Sequence, residues 1–383
     1  MTTLLRNIGE LVTNDPEWGG RYGIIENAAV EYDDGVITWI GTEAQARIRR
    51  TDNVVDMTGN TVIPAFVDSH THLIFGGDRS AEFESRMKGA PYAAGGINST
   101  VLATRDASDD ELRALVQSRI DEMHNQGTGT VEIKTGYGLT VDQEQRLARI
   151  ASEFTEDVTF LGGHVIPPEY ADDPDAYVDL VCGPMLDAVA PYAKWIDVFC
   201  EEGAFTVAQS RRILESGMLA GLRPRIHAAQ LGPSDSVRMA LSLGATSIDH
   251  GTFLTDSDVD ALSNSATVVT LLPGAEFSTK QPFPDARALI DNGVQIAIAT
   301  NCNPGSSYTT SMPFCIALAV REMGMTTSEA LWAATAGGAK ALDRDDVGTI
   351  RVGARAMLVE LAAPSHVHLA YRPGVNLVRR VTF

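Results

Sequence analysis

The chain has 383 residues, of which 44% are hydrophobic, so it can bury a large core and suits one enzyme-sized barrel with a smaller appended module. Its 50 acidic and 30 basic side chains give a formal net charge of −20, which would repel a phosphate backbone or an anionic membrane and excludes both as expected partners. Because no apolar run could span a membrane and no secretory leader is visible, we expect a cytoplasmic protein.

The first sixty residues predict a small β module. Short apolar strands joined by polar turns are indicated at residues 28–32, 35–41 and 53–57. The same pattern returns near the end of the chain, at residues 356–361 and 377–383. We therefore expect residues 1–60 and 345–383 to form one small β-sandwich.

Residues 61–344 show a different pattern, in which short apolar runs alternate with amphipathic segments. The eight apolar runs are residues 61–67, 130–134, 158–161, 195–199, 224–226, 246–248, 267–272 and 295–299. Helix-like segments between them are residues 109–124, 142–154, 207–219, 234–243 and 284–292. Eight strands alternating with helices are typical of a closed parallel (β/α)8 TIM barrel, which makes this an α/β fold.

Ligand-type side chains follow several of these runs, where a barrel carries its chemistry. The first run leads into Asp68-Ser-His70-Thr-His72, and a spacing of two puts both imidazoles on one face of an extended chain. Later strand ends carry His164, His227, His250 and Asn301. A His-x-His pair alone is also common as a structural or surface feature, but together these residues predict a metal site. Imidazole ligands suit zinc or iron better than calcium or magnesium.

His366 and His368 repeat the same spacing near the C-terminus. Because they belong to the predicted terminal module, away from the barrel mouth, we expect no metal role for them.

A family resemblance rests on several motifs. The segment Pro64-Ala-Phe-Val-Asp-Ser-His-Thr-His-Leu resembles the first metal motif of the amidohydrolase superfamily. Four further motifs are similar to those of the imidazolonepropionase family: Phe75-Gly-Gly-Asp-Arg79, Lys134-Thr-Gly-Tyr137, Phe160-Leu-Gly-Gly-His164 and Asn303-Pro-Gly-Ser-Ser. The resemblance spans nearly the whole chain.

The resemblance implies an activity, a cofactor and a set of site residues. That family hydrolyses the cyclic amide of 4-imidazolone-5-propanoate to N-formimino-L-glutamate in histidine degradation, with one zinc or iron ion per chain. The implied metal ligands are His70, His72 and His227, with Asn301 at the position of the fourth. The implied substrate contacts are Arg79, Tyr137, His164, Gln230, Asn303, Gly305 and Ser306. A homodimer is also implied.

The residue chemistry agrees with these roles, although each has a simpler alternative. Arg79 offers a planar cation for the substrate's propionate, or only a surface salt bridge. Tyr137 could donate its hydroxyl to the substrate or pack in the core, and His164 could polarise the ring carbonyl or be a satisfied core histidine. Gln230 could meet the ring edge as donor and acceptor, or be a loop amide.

Asn301 departs from the family, in which an aspartate ordinarily ligates the metal at this position and is a candidate proton acceptor. An amide oxygen ligates more weakly and has no useful basicity. His250 then becomes the expected proton acceptor. Two alternatives stay open: an impaired or non-catalytic homologue that binds substrate, and another cyclic amidohydrolase or deaminase on the same fold. Arg79 and Tyr137 argue against a deaminase, since a nucleobase has no carboxylate to bind.

One metal ion, rather than two, is expected. Binuclear relatives have a carboxylated lysine after the fourth strand, where this chain has Phe199-Cys-Glu-Glu.

Overall fold

The computed structural model describes residues 1–46, 51–89 and 96–382. None of its described helices is long and apolar enough to cross a membrane. Its strands are β1 Thr3–Val12, β2 Ile24–Asp33, β3 Val36–Thr42, β4 Asn53–Asp56, β5 Thr61–Pro64, β6 Phe66–Asp68, β7 Thr128–Val131, β8 Ile133–Lys134, β9 Val158–Gly163, β10 Trp195–Val198, β11 Arg223–Ala228, β12 Ser247–His250, β13 Val268–Leu271, β14 Gln295–Ile298, β15 Leu358–Leu361 and β16 Val378–Thr382.

The two ends of the chain meet in one sheet with the order β16-β15-β5-β1-β2-β3, in which β4 also pairs with β1. The C-terminal strand β15 joins the N-terminal part by pairing antiparallel with β5. This sheet has its own apolar cluster, which includes Leu5, Ile8, Leu11, Val30, Ile37 and Leu358. Strands from both termini therefore share one β module, as the sequence indicates. Phe383, the last residue of the predicted 377–383 strand, lies outside the described residues.

Two of the predicted strands are each divided in the structure. The run 61–67 gives β5, which belongs to the terminal sheet, and β6, which pairs with β7. Between them the Ala65 amide donates to the Met357 carbonyl, so the chain changes sheets at this residue. The run 130–134 is interrupted at Glu132, whose carboxylate accepts the Thr71 amide at 2.9 Å. The run 61–67 contains no charged residue and gave no sign of its break, whereas the break in the run 130–134 falls at its charged residue Glu132.

The remaining strands form a parallel series that fits a (β/α)8 barrel. Strand β6 pairs with β7, and β8 to β14 form one parallel sheet in chain order. Hydrogen bonds across the ends of the first and last strands join the two edges of the series, because the Asn301 amide donates to the His70 carbonyl at 3.0 Å and the His72 amide to the Cys302 carbonyl at 2.9 Å. The C-terminal strand ends consequently face one region, as barrel geometry requires.

Helices surround these strands, and the five predicted segments fall within three residues of observed ones at each end. The helices are α1 Glu43–Ala46, α2 Ser80–Met87, α3 Ile97–Asp106, α4 Asp109–His124, α5 Val141–Ala151, α6 Pro174–Leu180, α7 Leu186–Val189, α8 Val207–Leu219, α9 Ser236–Ser242, α10 Asp256–Ser263, α11 Pro273–Thr279, α12 Ala286–Asp291, α13 Met312–Glu322, α14 Thr327–Trp332, α15 Gly338–Ala341 and α16 His368–Tyr371. Capping boxes fix the starts of α4 and α8, through Ser108 with Glu111 and Thr206 with Gln209.

His366 connects the terminal sheet to the barrel helices. Its Nδ1 lies 2.9 Å from the Glu10 carboxylate on β1, and its Nε2 lies 2.9 Å from the Ser328 hydroxyl on α14. Both ring nitrogens are thus engaged in a structural contact.

The helical segment after the eighth strand approaches the barrel backbone closely. A π turn at Ala333–Gly337 joins α14 to α15. A Cβ atom on Gly337 would collide with the Ile296 carbonyl of β14, and one on Gly338 would collide with the Val67 carbonyl of β6. These glycines therefore let the helix rest on the two strands that lead to Asn301 and His70.

We predict that Gly338→Ala lowers the free energy of unfolding by roughly 1–3 kcal/mol, since an extra methyl group has no space beside the Val67 backbone. Urea unfolding of both proteins measures the difference. Gly232→Ala is the matched control, because a Cβ there meets open space. Equal stability of the Gly338 variant and the parent protein would contradict this packing.

Candidate active site

Three buried histidines converge at the C-terminal ends of the barrel strands. His70 and His72 follow β6, and His227 lies on β11; one ligand nitrogen from each falls within 4.8 Å of the others. Nε2 of His70 and Nδ1 of His72 are buried and have no hydrogen-bond partner among the described residues. Burial, which disfavours the cation, holds the pKa of both rings well below the usual value. Neutral rings with unpartnered nitrogens fit a single metal ion.

Two carboxylates behind the cluster orient these rings. His70 Nδ1 lies 2.7 Å from Asp249 Oδ2, and His227 Nδ1 lies 3.1 Å from Asp197 Oδ1. Each contact leaves the opposite ring nitrogen for the cluster. Hydrogen bonds of this kind fix the tautomer and raise the basicity of a ligating imidazole.

The two carboxylates belong to a fully buried ion network. Lys134 Nζ lies 2.8 Å from Asp197 Oδ2, 3.0 Å from Glu132 Oε1 and 3.7 Å from Asp249 Oδ2. Arg225 NH2 lies 3.2 Å from Asp249 Oδ2 and donates to the Ser69 carbonyl at 2.6 Å.

The cations of this network keep the two aspartates ionised. Burial alone would raise the pKa of Asp249, but Arg225, His70 and Lys134 hold that pKa well below its usual range. The same balance lowers the pKa of Asp197, where His227 and Lys134 outweigh burial. Both carboxylates therefore stay negative beside the histidines.

The five residues of this network, Glu132, Lys134, Asp197, Arg225 and Asp249, have no role assigned from the sequence. The available signal was the presence of charged side chains inside apolar runs: Lys134 ends the second run, Asp197 lies in the fourth, and Arg225 lies in the fifth. A charge in a buried strand is costly unless it is paired, so each one indicates a partner.

One cavity joins the histidine cluster to nearly all the predicted substrate residues. It is lined by His72, Arg79, Tyr137, His164, His227, Gln230, His250, Asn301, Asn303 and Ser306, together with Ile97, Val165 and Phe199. His70 lies fully buried beneath it. Gly305 lines a neighbouring cavity that also contains Arg79. The structure thus brings the separate predicted strand-end residues to one place.

Arg79 is held by an ion pair and also faces the cavity. Its Nε and NH2 donate to the two carboxylate oxygens of Glu82 at 2.8 and 2.7 Å. Its NH1 lies beside the Cα of Gly305, where a Cβ would collide with the guanidinium. The salt bridge considered above as an alternative role for Arg79 is therefore present. It holds the guanidinium so that NH1 remains free of Glu82 while Arg79 lines the cavity.

The loop after the eighth strand is shaped by the side chain of Asn303. Its Oδ1 accepts the amides of Gly305 and Ser306, both at 2.8 Å. Its Nδ2 donates to the Asn301 carbonyl at 2.7 Å. This turn fixes Ser306 in the cavity wall and holds Gly305 against Arg79.

The tautomer of His164 follows from its main-chain contact. His164 Nδ1 lies 3.0 Å from the Gly136 carbonyl oxygen, which can only accept, so Nδ1 carries the proton. Burial, reinforced by His227, lowers its pKa to about 3. The neutral ring therefore presents Nε2 as an acceptor, which suits a substrate N–H. The predicted polarisation of a carbonyl would require a protonated ring or the other tautomer.

Three strand-end residues have left-handed backbone at the site. These are Ala229 with φ 53°, His250 with φ 84° and Asn301 with φ 53°. Such angles are uncommon outside glycine, asparagine and aspartate, and they concentrate at functional positions. Nδ1 of His250 and Oδ1 of Asn301 are buried and have no partner among the described residues. Both atoms are therefore available to a metal, a water molecule or a substrate.

Comparisons with known proteins first define the class. Residues 223–376 match the model of the Amidohydrolase family. The fold is similar to that of a triazine hydrolase variant, with a TM-score of 0.78 and 16% identity over 100% of this chain and 93% of that one. It is also similar to a zinc-bound adenosine deaminase from Xanthomonas campestris, with a TM-score of 0.72 and 20% identity over 99% of this chain and 91% of that one. The chain has an amidohydrolase fold.

Closer relatives define the family. The chain is 60% identical to the imidazolonepropionase of Salinispora arenicola, over 99% of this chain and 96% of the relative. It is 58% identical to that of Mycolicibacterium smegmatis, over 100% and 96% of the two chains. The chain belongs to the imidazolonepropionase family, which confirms the resemblance drawn from its motifs.

We predict that Asp249→Asn weakens zinc binding about 10–100-fold, because His70 loses the negative acceptor that orients it and raises its basicity. Competition with a chromophoric chelator measures the affinity, and circular dichroism checks that the variant is folded. Asp291→Asn, at an exposed position on α12, is the control. Undiminished affinity in a folded Asp249 variant would show that the carboxylate does not support the ligand.

Proposed function

We propose that this chain hydrolyses 4-imidazolone-5-propanoate to N-formimino-L-glutamate, a step of histidine degradation. Water adds to the ring carbonyl carbon, the ring C–N bond breaks, and the departing nitrogen takes a proton. The observation that carries this proposal is one cavity that holds both the histidine cluster and Arg79. Full-length relatives named imidazolonepropionase support it.

We propose His70, His72 and His227 as the ligands of one zinc or iron ion, with the unpartnered Oδ1 of Asn301 as a fourth. When bound, such an ion supplies Lewis-acid activation of water and of the amide carbonyl.

The substrate's propionate would be bound by Arg79 and the loop after the eighth strand. The Glu82 carboxylate occupies Nε and NH2 of Arg79, which leaves NH1 for a substrate carboxylate. Gly305 lies next to this edge, because a Cβ atom on this glycine would collide with the guanidinium. Asn303 and Ser306 belong to the same turn, since Asn303 Oδ1 accepts the amides of Gly305 and Ser306. A charge-assisted hydrogen bond from an arginine already fixed by an ion pair costs little further ordering.

The ring would be bound between Tyr137, His164 and Gln230, which line the same cavity. His164 would accept a ring N–H through Nε2, given that its Nδ1 donates to Gly136. Tyr137 lies beside it, with ring centroids 5.3 Å apart. Gln230 can both donate and accept at the ring edge.

His250 is the proposed proton acceptor. Burial lowers the pKa of this ring well below its usual value, so the ring is neutral in the free protein. Its ring centroid lies 5.5 Å from that of His227 and 6.0 Å from that of His70. Asn301 cannot accept a proton, so its role would be to ligate and to position water.

Three further assignments complete the proposal. We propose that residues 1–60 and 345–383 form a small β-sandwich and that residues 61–344 form the barrel. The shared sheet of the two termini supports this division, except that β5, Thr61–Pro64, pairs within that sheet. We also propose that the protein is cytoplasmic, as expected from its sequence, and that it forms a homodimer, as the family resemblance implies.

Arg79→Ala should raise KM for imidazolonepropionate roughly 10–150-fold, equivalent to about 1.5–3 kcal/mol for a hydrogen bond to a charged group. Steady-state kinetics on metal-loaded protein, or a binding titration if turnover is absent, measures the change. Arg113→Ala is the control, since Arg113 pairs with Glu153 on the surface. An unchanged KM or Kd would remove Arg79 as the carboxylate-binding residue.

Asn301→Asp decides which group accepts the proton. If a carboxylate at this position is the principal base, the Asp variant should turn over about 10²–10⁴-fold faster than the parent chain. Both proteins are compared at saturating metal, with elemental analysis expected to give one equivalent of zinc or iron in each. An unchanged kcat would mean that another group accepts the proton, with His250 as the proposed residue. A kcat that rises from near zero in the parent chain would mean that the parent chain binds substrate without efficient turnover.

A further inference from the structure

A cleft of about 690 Å³ lies at the opposite end of the barrel from the histidine cluster, where strand β14 begins. One wall is the loop between β1 and β2, which contains Asn14 and Arg21. The other wall comes from the barrel, with Gln295 at the first residue of β14, Trp332 on α14 and Lys340 on α15. The cleft therefore spans the contact between the terminal module and the barrel.

Two cations in this cleft have no carboxylate partner among the described residues. The Arg21 guanidinium stands 4.0 Å from the centroid of the Trp332 ring, and Lys340 Nζ lies 5.3 Å from the same ring. Lys340 also donates to the neutral Gln295 amide at 3.0 Å. Burial, together with the charge of Arg21, lowers the pKa of Lys340. An anion between these two side chains would relieve their repulsion.

Their isolation contrasts with the other basic residues of the cleft. Arg344 is paired with Asp346 and Asp157, and Arg351 donates to the Asp345 carbonyl. The chain has 50 acidic and 30 basic side chains, so most basic residues can find a carboxylate partner. Two neighbouring cations without one in the described part of the chain therefore indicate a binding site for an anion.

Two buried polar atoms of the cleft also lack partners. Oδ1 of Asn14 and Oγ1 of Thr349 are buried, and neither has a hydrogen-bond partner within the part of the chain that the structure describes. Asn14 is held rigidly, because its Nδ2 donates to the Thr335 hydroxyl at 2.8 Å and to the Gly348 carbonyl at 3.0 Å. Leaving such atoms unsatisfied costs free energy, so they indicate a bound polar group.

We propose that this cleft binds a small organic anion with a flat ring, whose anionic group lies against Arg21 and Lys340. The Arg21 guanidinium lies over the Trp332 ring, and its outer face offers a flat surface on which a second ring can stack. Ala336, Ala339 and Val347 supply an apolar floor, and the volume suits a ligand of nucleotide size. Asn14 Oδ1 accepts a donor from the ligand. The site is independent of the proposed hydrolysis.

Titration calorimetry on the intact chain tests the proposal with probes that differ in their anionic group. Adenosine 5′-monophosphate represents a phosphate, benzoate represents a carboxylate, and uncharged adenosine is the reference. We expect at least one of the two anions to bind with a stoichiometry of one. If adenosine 5′-monophosphate is that anion, uncharged adenosine should bind at least tenfold more weakly. A bound ligand should also raise the thermal unfolding midpoint. The absence of binding by both anions at millimolar concentration would overturn the proposal.

Variants locate the binding. The double variant Arg21→Gln, Lys340→Gln should weaken the bound anion at least tenfold, whereas Arg372→Gln, an exposed arginine outside the cleft, should leave the affinity unchanged. Arg79→Ala should also leave it unchanged, which separates this cleft from the proposed substrate site. Unaltered binding in the double variant, or loss of binding in the Arg79 variant, would contradict the assignment to this cleft.

Discussion

Two fully buried carboxylates, Asp197 and Asp249, set the orientation of the histidine cluster through their contacts with His227 and His70. A carboxylate in the centre of a barrel would normally take up a proton, and the charges of Lys134 and Arg225 prevent this. Removing one member of such a buried network typically costs about 3–5 kcal/mol, because its partner is left uncompensated. Folding and ligand geometry therefore depend on the same ion pairs.

The same dependence extends to the barrel's closure. The first and eighth strands are joined by main-chain hydrogen bonds at the level of His70, His72 and Asn301, so the proposed metal ligands lie at the join itself. Asp68 strengthens this junction by accepting both the amide and the hydroxyl of Thr300, at 3.1 and 2.6 Å. A shift between the two strands would consequently move the ligands relative to one another.

The sequence predicted the parts of this structure that depend on local periodicity and on strand ends. His70 and His72 could be placed on one face because strand geometry alternates, and His227, His250 and Asn301 could be placed nearby because parallel strands end at one side of a barrel. The division of residues 61–67 between two sheets could not be predicted. The part in the terminal sheet and the part in the barrel are both fully buried, so hydrophobicity does not distinguish them.

Partners distant in sequence were also beyond prediction. The contact between Lys134 and Asp197 and the contact between Arg225 and Asp249 join different strands. The positions of Lys134, Asp197 and Arg225 inside apolar runs were the only sign of pairing. The tautomer of His164 likewise depends on a carbonyl at Gly136, from a different strand end. Such facts follow from tertiary packing and not from any local pattern.

The left-handed backbone at Asn301 has a consequence for how this site can change over evolutionary time. Asparagine and aspartate are nearly identical in shape and are the non-glycine residues that tolerate this conformation most readily. The fold therefore exerts little conformational preference between them, although one can accept a proton and the other cannot. An exchange at this position is nearly silent for the scaffold and decisive for the chemistry, so selection on folding alone could not hold either residue in place.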